Sequence, residues 1–307
     1  MSPLIHWDDV PWRERTVGEI GGRTQDLGTA AGTAGTGLRR FQIAPGMRST
    51  PPHAHGAEEE LFFVLSGSGL LWQDGETCQV RADDCIVHLA DDMAHTLRAG
   101  DEGLEVLAFG QRVLSENCYH PHSGRVWAGP TVVAAEGPRD MYELDAQSGP
   151  LGFPPPGQRP SNVVALADCT PMVGSEGDVA YESRGLSHTA GSVQSGLGHD
   201  RIPAGNLGTV PHCHSAEEEI FVVLEGSGTL LHGDEQLPVR PGHVAGFPPG
   251  TGISHAIRAG EGGITYLTYG TRDPNDIAYY PRSNKVAFRG VKLIARLESL
   301  DYWDGER

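Results

Sequence analysis

PHAHGAEEELFFVLSGSG, residues 52–69, and PHCHSAEEEIFVVLEGSG, residues 211–228, are one passage written twice in a chain of 307 residues. Each copy holds two histidines one residue apart, a Glu triplet, an apolar run and a Gly-x-Gly turn. Side chains alternate along a strand, so His53 and His55 share a face about Ala54, and His212 and His214 share one about Cys213. Two imidazoles on one pleated face can chelate a single ion. The runs LFFVL (61–65) and IFVVL (220–224) are β-branched and aromatic, which predicts buried strands. A carboxylate at the start of such a strand can face inward beside the imidazoles. Alternation puts Glu58 and Glu60 on one face and Glu59 on the other, so it leaves two candidates. A lone His-x-His is a weak signal; two copies with identical downstream spacing, each followed by a further histidine, indicate a metal site present twice.

Working outward, the similarity continues at a fixed offset of 159 residues. Residues 5–10 align with 164–169 and residues 31–38 with 190–197; after one inserted residue, His95 meets His255. The chain is a tandem duplication. We expect an N-terminal domain over 1–135, a Pro/Gly-rich extended linker over 136–161 that includes GPLGFPPPGQRPS, and a C-terminal domain over 162–307. Within each copy, short apolar runs alternate with Gly, Asp and Pro at the spacing of a sandwich or barrel. Only residues 291–300 have a weak helical rhythm.

Composition narrows the function. The 42 Gly and 22 Pro favour many turns between short strands. A net charge of -17 argues against nucleic acid and anionic membranes, which need a basic face. The five cysteines, Cys78, Cys85, Cys118, Cys169 and Cys213, lack C-x-x-C spacing and are expected as reduced, mostly buried thiols, with Cys213 turned away from the histidines beside it. With no leader-like start and no apolar run near 18 residues, the chain is expected to be soluble and cytoplasmic.

The residues resemble a known family over nearly the whole chain: the bicupins, which carry two tandem cupin domains. The first cupin motif, G-x5-H-x-H-x4-E-x6-G, is met by Gly46, His53, His55, Glu60 and Gly67, and again by Gly205, His212, His214, Glu219 and Gly226, with the first gap one residue longer in both copies. The second motif, G-x5-P-x-G-x2-H, fits Gly242, Gly252 and His255, with a proline nearby in Pro248-Pro249-Gly250. In the first copy His95 stands at the histidine, but Asp83, Ala90 and Asp92 replace the Gly, Pro and Gly. The resemblance implies an all-β fold of two tandem cupin barrels (double-stranded β-helix, jelly-roll). It also implies a three-His, one-Glu site in each: His53, His55, Glu60, His95 and His212, His214, Glu219, His255. Motif spacing thus selects Glu60 and Glu219, leaving Glu58 and Glu217 as expected solvated residues. Each site would take one divalent transition metal, with Fe, Mn, Ni, Co, Cu and Zn equally compatible, and leave two coordination positions open.

Alternation from Glu60 and Glu219 turns Phe62, Val64, Phe221 and Val223 inward as pocket walls; Trp72, His88 and His232 are further wall candidates. Arg98 and Arg258 fall on the opposite face and are expected at the surface. Ser115-Glu116-Asn117 lies where oxalate decarboxylases carry a lid with a proton-donating glutamate, which makes Glu116 a candidate catalytic residue; the second copy has Asp273-Pro274-Asn275-Asp276 there. The leading expectation is a metal-dependent enzyme, a dioxygenase-type oxidoreductase acting on a small oxygenated metabolite. One alternative is a manganese lyase of the oxalate-decarboxylase kind; another is a non-catalytic metal- or ligand-binding cupin. Expected partners are a small-molecule substrate and further copies of the chain.

Overall fold

The structure, a computed structural model, describes residues 3–128, the backbone of 131–133, and 140–306. The first half runs β1 (Leu4–His6), β2 (Arg13–Val17), β3 (Ile20–Asp26), α1 (Leu27–Ala30), β4 (Thr36–Ile43), β5 (Ala54–His55), β6 (Glu60–Gln73), β7 (Glu76–Arg81), β8 (Asp84–His88), β9 (His95–Gln111), β10 (Asn117–His120), β11 (Arg125–Ala128) and β12 (Thr131–Val133). After α2 (Met141–Gln147), the second half runs β13 (Val163–Ala165), β14 (Met172–Glu176), β15 (Val179–Gly185), α3 (Leu186–Thr189), β16 (Ser195–Ile202), β17 (Cys213–His214), β18 (Glu219–His232), β19 (Glu235–Val239), β20 (His243–Phe247), β21 (His255–Thr271), β22 (Ile277–Tyr280), β23 (Lys285–Phe288) and β24 (Leu293–Arg296).

Each half folds as a barrel of a large and a small sheet. In the first barrel, the order β13-β8-β6-β9-β4-β3-β2, with β7 beside β6, faces the four strands β12-β11-β10-β5. The second repeats this as β1-β20-β18-β21-β16-β15-β14, with β19 beside β18, facing β17-β22-β23-β24. The expected all-β architecture holds. β1 and β13 occupy matching places in opposite barrels: Ile5 pairs with Val244, and Val164 with Cys85. Each copy therefore lends its first strand to the other, covering an edge that would otherwise present unpaired backbone groups. The divisions at 135/136 and 161/162 consequently do not separate the two sheets.

The apolar runs are continuous because both faces of β6 and β18 are buried. Phe62 and Val64 face the first barrel's core with Ile86, Leu97 and Val106. Phe221 and Val223 do the same in the second with Ile257 and Tyr266. Leu61, Phe63, Ile220 and Val222 point the other way, into a third core shared by the barrels, where Phe109 stacks on Tyr269 with centroids 5.1 Å apart. Two buried carboxylates latch this interface. Glu59 accepts hydrogen bonds from Ser192 Oγ (2.8 Å), Val193 N (2.7 Å), Ser195 N (3.1 Å) and Ser195 Oγ (3.0 Å). Glu218, its counterpart, accepts from Ala34 N and Thr36 Oγ1, both at 2.8 Å. The glycines closing the first motif are needed sterically: a Cβ on Gly67 or Gly226 would lie 2.3 Å from the carbonyl of Gly103 or Gly263, and both adopt positive φ.

Two expectations are corrected. The linker is not wholly extended: its residues 140–161 include α2, capped by Asp140 accepting from Tyr142 N and Glu143 N, with Met141 and Leu144 buried. The helix forms because its Asp caps the orphan N–H groups and its apolar residues meet the first barrel. Positions 136–139 lie outside the described residues. The rhythm over 291–300 gives strand β24 rather than a helix, because pairing with β23 supplies backbone partners that an isolated turn would lack. The five cysteines are free and buried, as expected. Among the described residues, no helix is long and apolar enough to cross a membrane.

Candidate metal centre

The site is assembled between the two sheets of each barrel. Glu60 starts β6, His95 starts β9, His55 comes from β5 and His53 from the preceding bridge to His95. Their ligand atoms all lie within 4.8 Å of one another. Three imidazole Nε2 atoms converge on Glu60 Oε2: His95 at 2.9 Å, His55 at 3.4 Å and His53 at 3.5 Å. The second barrel repeats the arrangement about Glu219 Oε2, with His255 at 2.7 Å, His214 at 3.4 Å and His212 at 3.6 Å. All four motif residues of the first barrel are thus mutually close; in the second, His212, Glu219 and His255 are, and His214 reaches the group through Glu219 while its other side groups with Glu217 and Asp276.

The outward ring nitrogens set the tautomers. His53 Nδ1 donates to Pro51 O (2.9 Å), His95 Nδ1 to Met93 O (3.4 Å) and His212 Nδ1 to Val210 O (2.9 Å). A proton held on Nδ1 leaves the Nε2 lone pair directed inward, as a metal ligand requires. His55 and His214 are instead backed by carboxylates: Nδ1 meets Glu116 Oε1 at 3.2 Å and Asp276 Oδ2 at 2.7 Å respectively. Their inward Nε2 atoms are buried without a hydrogen-bond partner. A cation between the rings and the carboxylate would satisfy those atoms, so the donor set fits a divalent metal.

Electrostatics point the same way. Burial opposes ionisation of Glu60 and Glu219, yet the three surrounding imidazoles hold each well below the usual carboxylate range. Burial lowers His95 to about 4 against the pull of Glu60. Burial also acts on His214, but Glu219 and Asp276 raise it to about 9; in His55 the neighbours Cys118, Glu116 and Glu60 likewise override burial and raise it. Both centres therefore hold a partly buried anion ringed by imidazoles.

Several expectations change in detail. Glu116 does not hang over the site as a proton-donating lid residue. It sits behind His55, its carboxylate accepting from the N–H groups of Gly56 (3.1 Å), Ala57 (2.9 Å) and Glu58 (2.9 Å). Burial opposes ionisation, but His55 and these N–H groups outweigh it and keep Glu116 below its ordinary value, so it is an acceptor. Asp276 does the same behind His214, accepting also from Ala216 N and Glu217 N. Nor are Glu58 and Glu217 solvated. Glu58 accepts from Val113 N, and Glu217 is buried against Arg289; burial pushes both up to about 7. The segment after β9 covers Glu58, and the segment after β23 covers Glu217.

The degraded second motif keeps its turn. Asp83 and Asp91 take φ of 67° and 57°, where their counterparts Gly242 and Gly250 take 93° and 71°. Aspartate is among the few residues that tolerate this left-handed region. Arg98 and Arg258 face away from the centres, donating to Gly46 O and Gly205 O.

Phe62 and Phe221 line the interior, their rings 5.8 Å and 5.6 Å from His95 and His255. His88 stacks on His95 at 3.6 Å, as Phe247 stacks on His255 at 3.9 Å; His120 and Tyr280 stack on His53 and His212, each at 5.8 Å. Sequence reasoning missed Asp200. It shares the β16 interior face, accepts from Thr268 Oγ1 at 2.6 Å, and is pushed up by burial. A polar residue two positions on from Gly198 in an alternating strand was the available signal.

The comparisons agree with this geometry. The cupin domain model matches residues 39–110 and 198–266. No curated protein matches the chain in sequence. Among solved structures, the oxalate decarboxylase of Lactobacillus farciminis in complex with formate is similar at TM-score 0.59 and 14% identity, over 89% of this chain and 87% of that one. A mutant of the Bacillus subtilis oxalate decarboxylase aligns at 0.57 and 14%, over 87% and 76%. The same enzyme, in a structure titled for its Mn(II) centres, aligns at 0.57 and 13% over the same shares. With one cupin-domain match on each barrel and the fold shared with these two-barrel structures, the chain carries two tandem cupin domains.

Proposed function

We propose that this chain is a metal-dependent lyase of the oxalate-decarboxylase kind, acting on a small carboxylic acid. The observation that carries the reading is that in each barrel three histidine Nε2 atoms converge on one carboxylate oxygen, of Glu60 or of Glu219. His53, His55, Glu60 and His95 would hold one divalent ion and His212, His214, Glu219 and His255 another. Such an ion supplies Lewis-acid polarisation of a bound carboxylate. Phe62 and Val64, with Phe221 and Val223, exclude water around it, while Glu116 and Asp276 orient His55 and His214. Likeness to manganese-containing oxalate decarboxylases supports manganese among the compatible ions. One site belongs to each unit, 1–135 and 162–307, joined by 136–161. A cytoplasmic location fits five buried free cysteines, and an oligomer of this chain is part of the same proposal.

In this reading the proton that replaces the departing carboxyl group comes from a group other than Glu116, whose carboxylate is engaged by His55 and the N–H groups of Gly56, Ala57 and Glu58. A dioxygenase reading uses the same ligands and differs in its stoichiometry. The test is to load the full chain with Mn(II) and measure carbon dioxide release and oxygen consumption together on a panel of small carboxylic acids. Carbon dioxide without net oxygen uptake supports the lyase; stoichiometric oxygen uptake replaces it with the dioxygenase. Turnover intact in both His53→Ala and His212→Ala removes both.

A further inference from the structure

The two barrels share ligands but not walls. On the interior face, β-sheet register sets Phe62 beside Ala108 and Ala108 beside Arg39. The matching row of the second barrel is Phe221, Thr268 and Gly198. An arginine thus stands two strands from Phe62, whose ring touches His95, with no equivalent in the other barrel. Among the described residues, Arg39 makes no ion pair.

Arg39, an exposed residue, borders a cavity of about 420 Å³ lined also by Arg13, Glu14, Asp26, Phe41, Ile43 and Tyr142, with none of the four cluster residues in its wall. Tyr142 comes from α2, so the interdomain segment supplies part of this cavity's wall. Arg15 holds it there, with its guanidinium 4.1 Å from the ring centroid and its Nη1 3.1 Å from Asp140 Oδ2. Asp145, further along α2, binds the buried Arg48 at 2.6 Å. Burial raises the Tyr142 hydroxyl, while Arg15 and Arg39 act against this and Asp140 and Glu60 with it.

We propose that the first barrel binds a carboxylic acid larger than oxalate, its carboxylate held by Arg39 and its apolar body lodged against Phe41, Ile43 and Tyr142. A planar guanidinium matches a carboxylate in a two-point hydrogen bond. The cavity falls in the size range of sites for medium-sized organic ligands; its lining is largely polar, Glu14, Arg23 and Asp26 included, and Ile20, Phe41, Ile43 and Tyr142 supply its apolar surface. This deepens the preceding reading by naming the substrate class of the first barrel, and it rests on that reading only for the reaction, not for binding.

The experiment is calorimetric titration of the metal-free full chain with phenylacetate, oxalate and the neutral phenylacetamide. Phenylacetate should bind more tightly than oxalate, and phenylacetamide should not bind. Arg39→Ala should weaken phenylacetate by at least about tenfold, with partial recovery in Arg39→Lys. Tyr142→Ala should also weaken it, with unchanged melting of the Arg39 variants showing that they fold. Equal binding by the wild type and Arg39→Ala, or equal binding of acid and amide, would overturn the inference. Binding as expected with no turnover of any acid would leave it standing and remove the lyase instead.

Discussion

Replacing Glu116 by glutamine separates two roles for the loop after β9. The carboxylate takes one hydrogen bond from His55 and three from backbone N–H groups, all between 2.9 and 3.2 Å. Glutamine keeps the shape, but it brings an NH₂ group against donors and gives up the charge facing His55. Removing a partner that orients a ligating histidine typically costs 10–100-fold in metal affinity, about 1.4–2.7 kcal/mol. The loss should be confined to the first barrel, since His214 is backed by Asp276. Competition against a chromophoric chelator, fitted to two sites, would show one affinity falling and the other unchanged; Asp276→Asn should reverse the pattern. Because the folded-state pKa is depressed, the contribution is present above the ordinary carboxylate range and fades as pH falls through it. If both affinities were unchanged while turnover vanished, Glu116 would be a proton donor and the geometry drawn here would be wrong.

Other consequences concern the frame around the centres. Glu59→Ala takes the acceptor from three buried donors and the part-buried Val193 N at the barrel interface and should cost about 3–5 kcal/mol in urea unfolding; a loss below about 1 kcal/mol would contradict the latch. Asp200 is pushed above its ordinary value by burial, so the folded state prefers its protonated form and loses stability as pH rises from that ordinary value through the raised one. Asp200→Asn should therefore gain on the wild type in denaturant midpoints as pH rises above the ordinary carboxylate range, and a pH-independent difference would refute the assignment.

What could be read from sequence follows from where the information sits. The ligands were legible because metal chemistry restricts residue type and a strand restricts spacing, and the duplication printed the pattern twice. Glu60 was separable from its neighbours only through the distance to Gly67, whose role is steric. The fates of Glu58 and Glu59 were not legible, because each depends on a segment distant in sequence: the loop at Val113 for one, and Ser192 to Ser195 of the other barrel for the other. The exchange of β1 and β13 left no periodic sign, since three-residue strands pair equally well with either copy. α2 was obscured by the Pro/Gly composition that follows it. Arg39 required knowing which face of β4 turns inward, and that is set by pairing with β9 rather than by the strand itself.

The central claim is that each barrel holds one ion on its own three histidines and glutamate. It is tested most directly by elemental analysis of the purified full chain after metal loading and exhaustive buffer exchange. The account predicts two ions per chain in the wild type, one in His53→Ala and one in His212→Ala, and none in the double variant. A wild type without stoichiometric metal, or a double variant that retains it, would contradict the account.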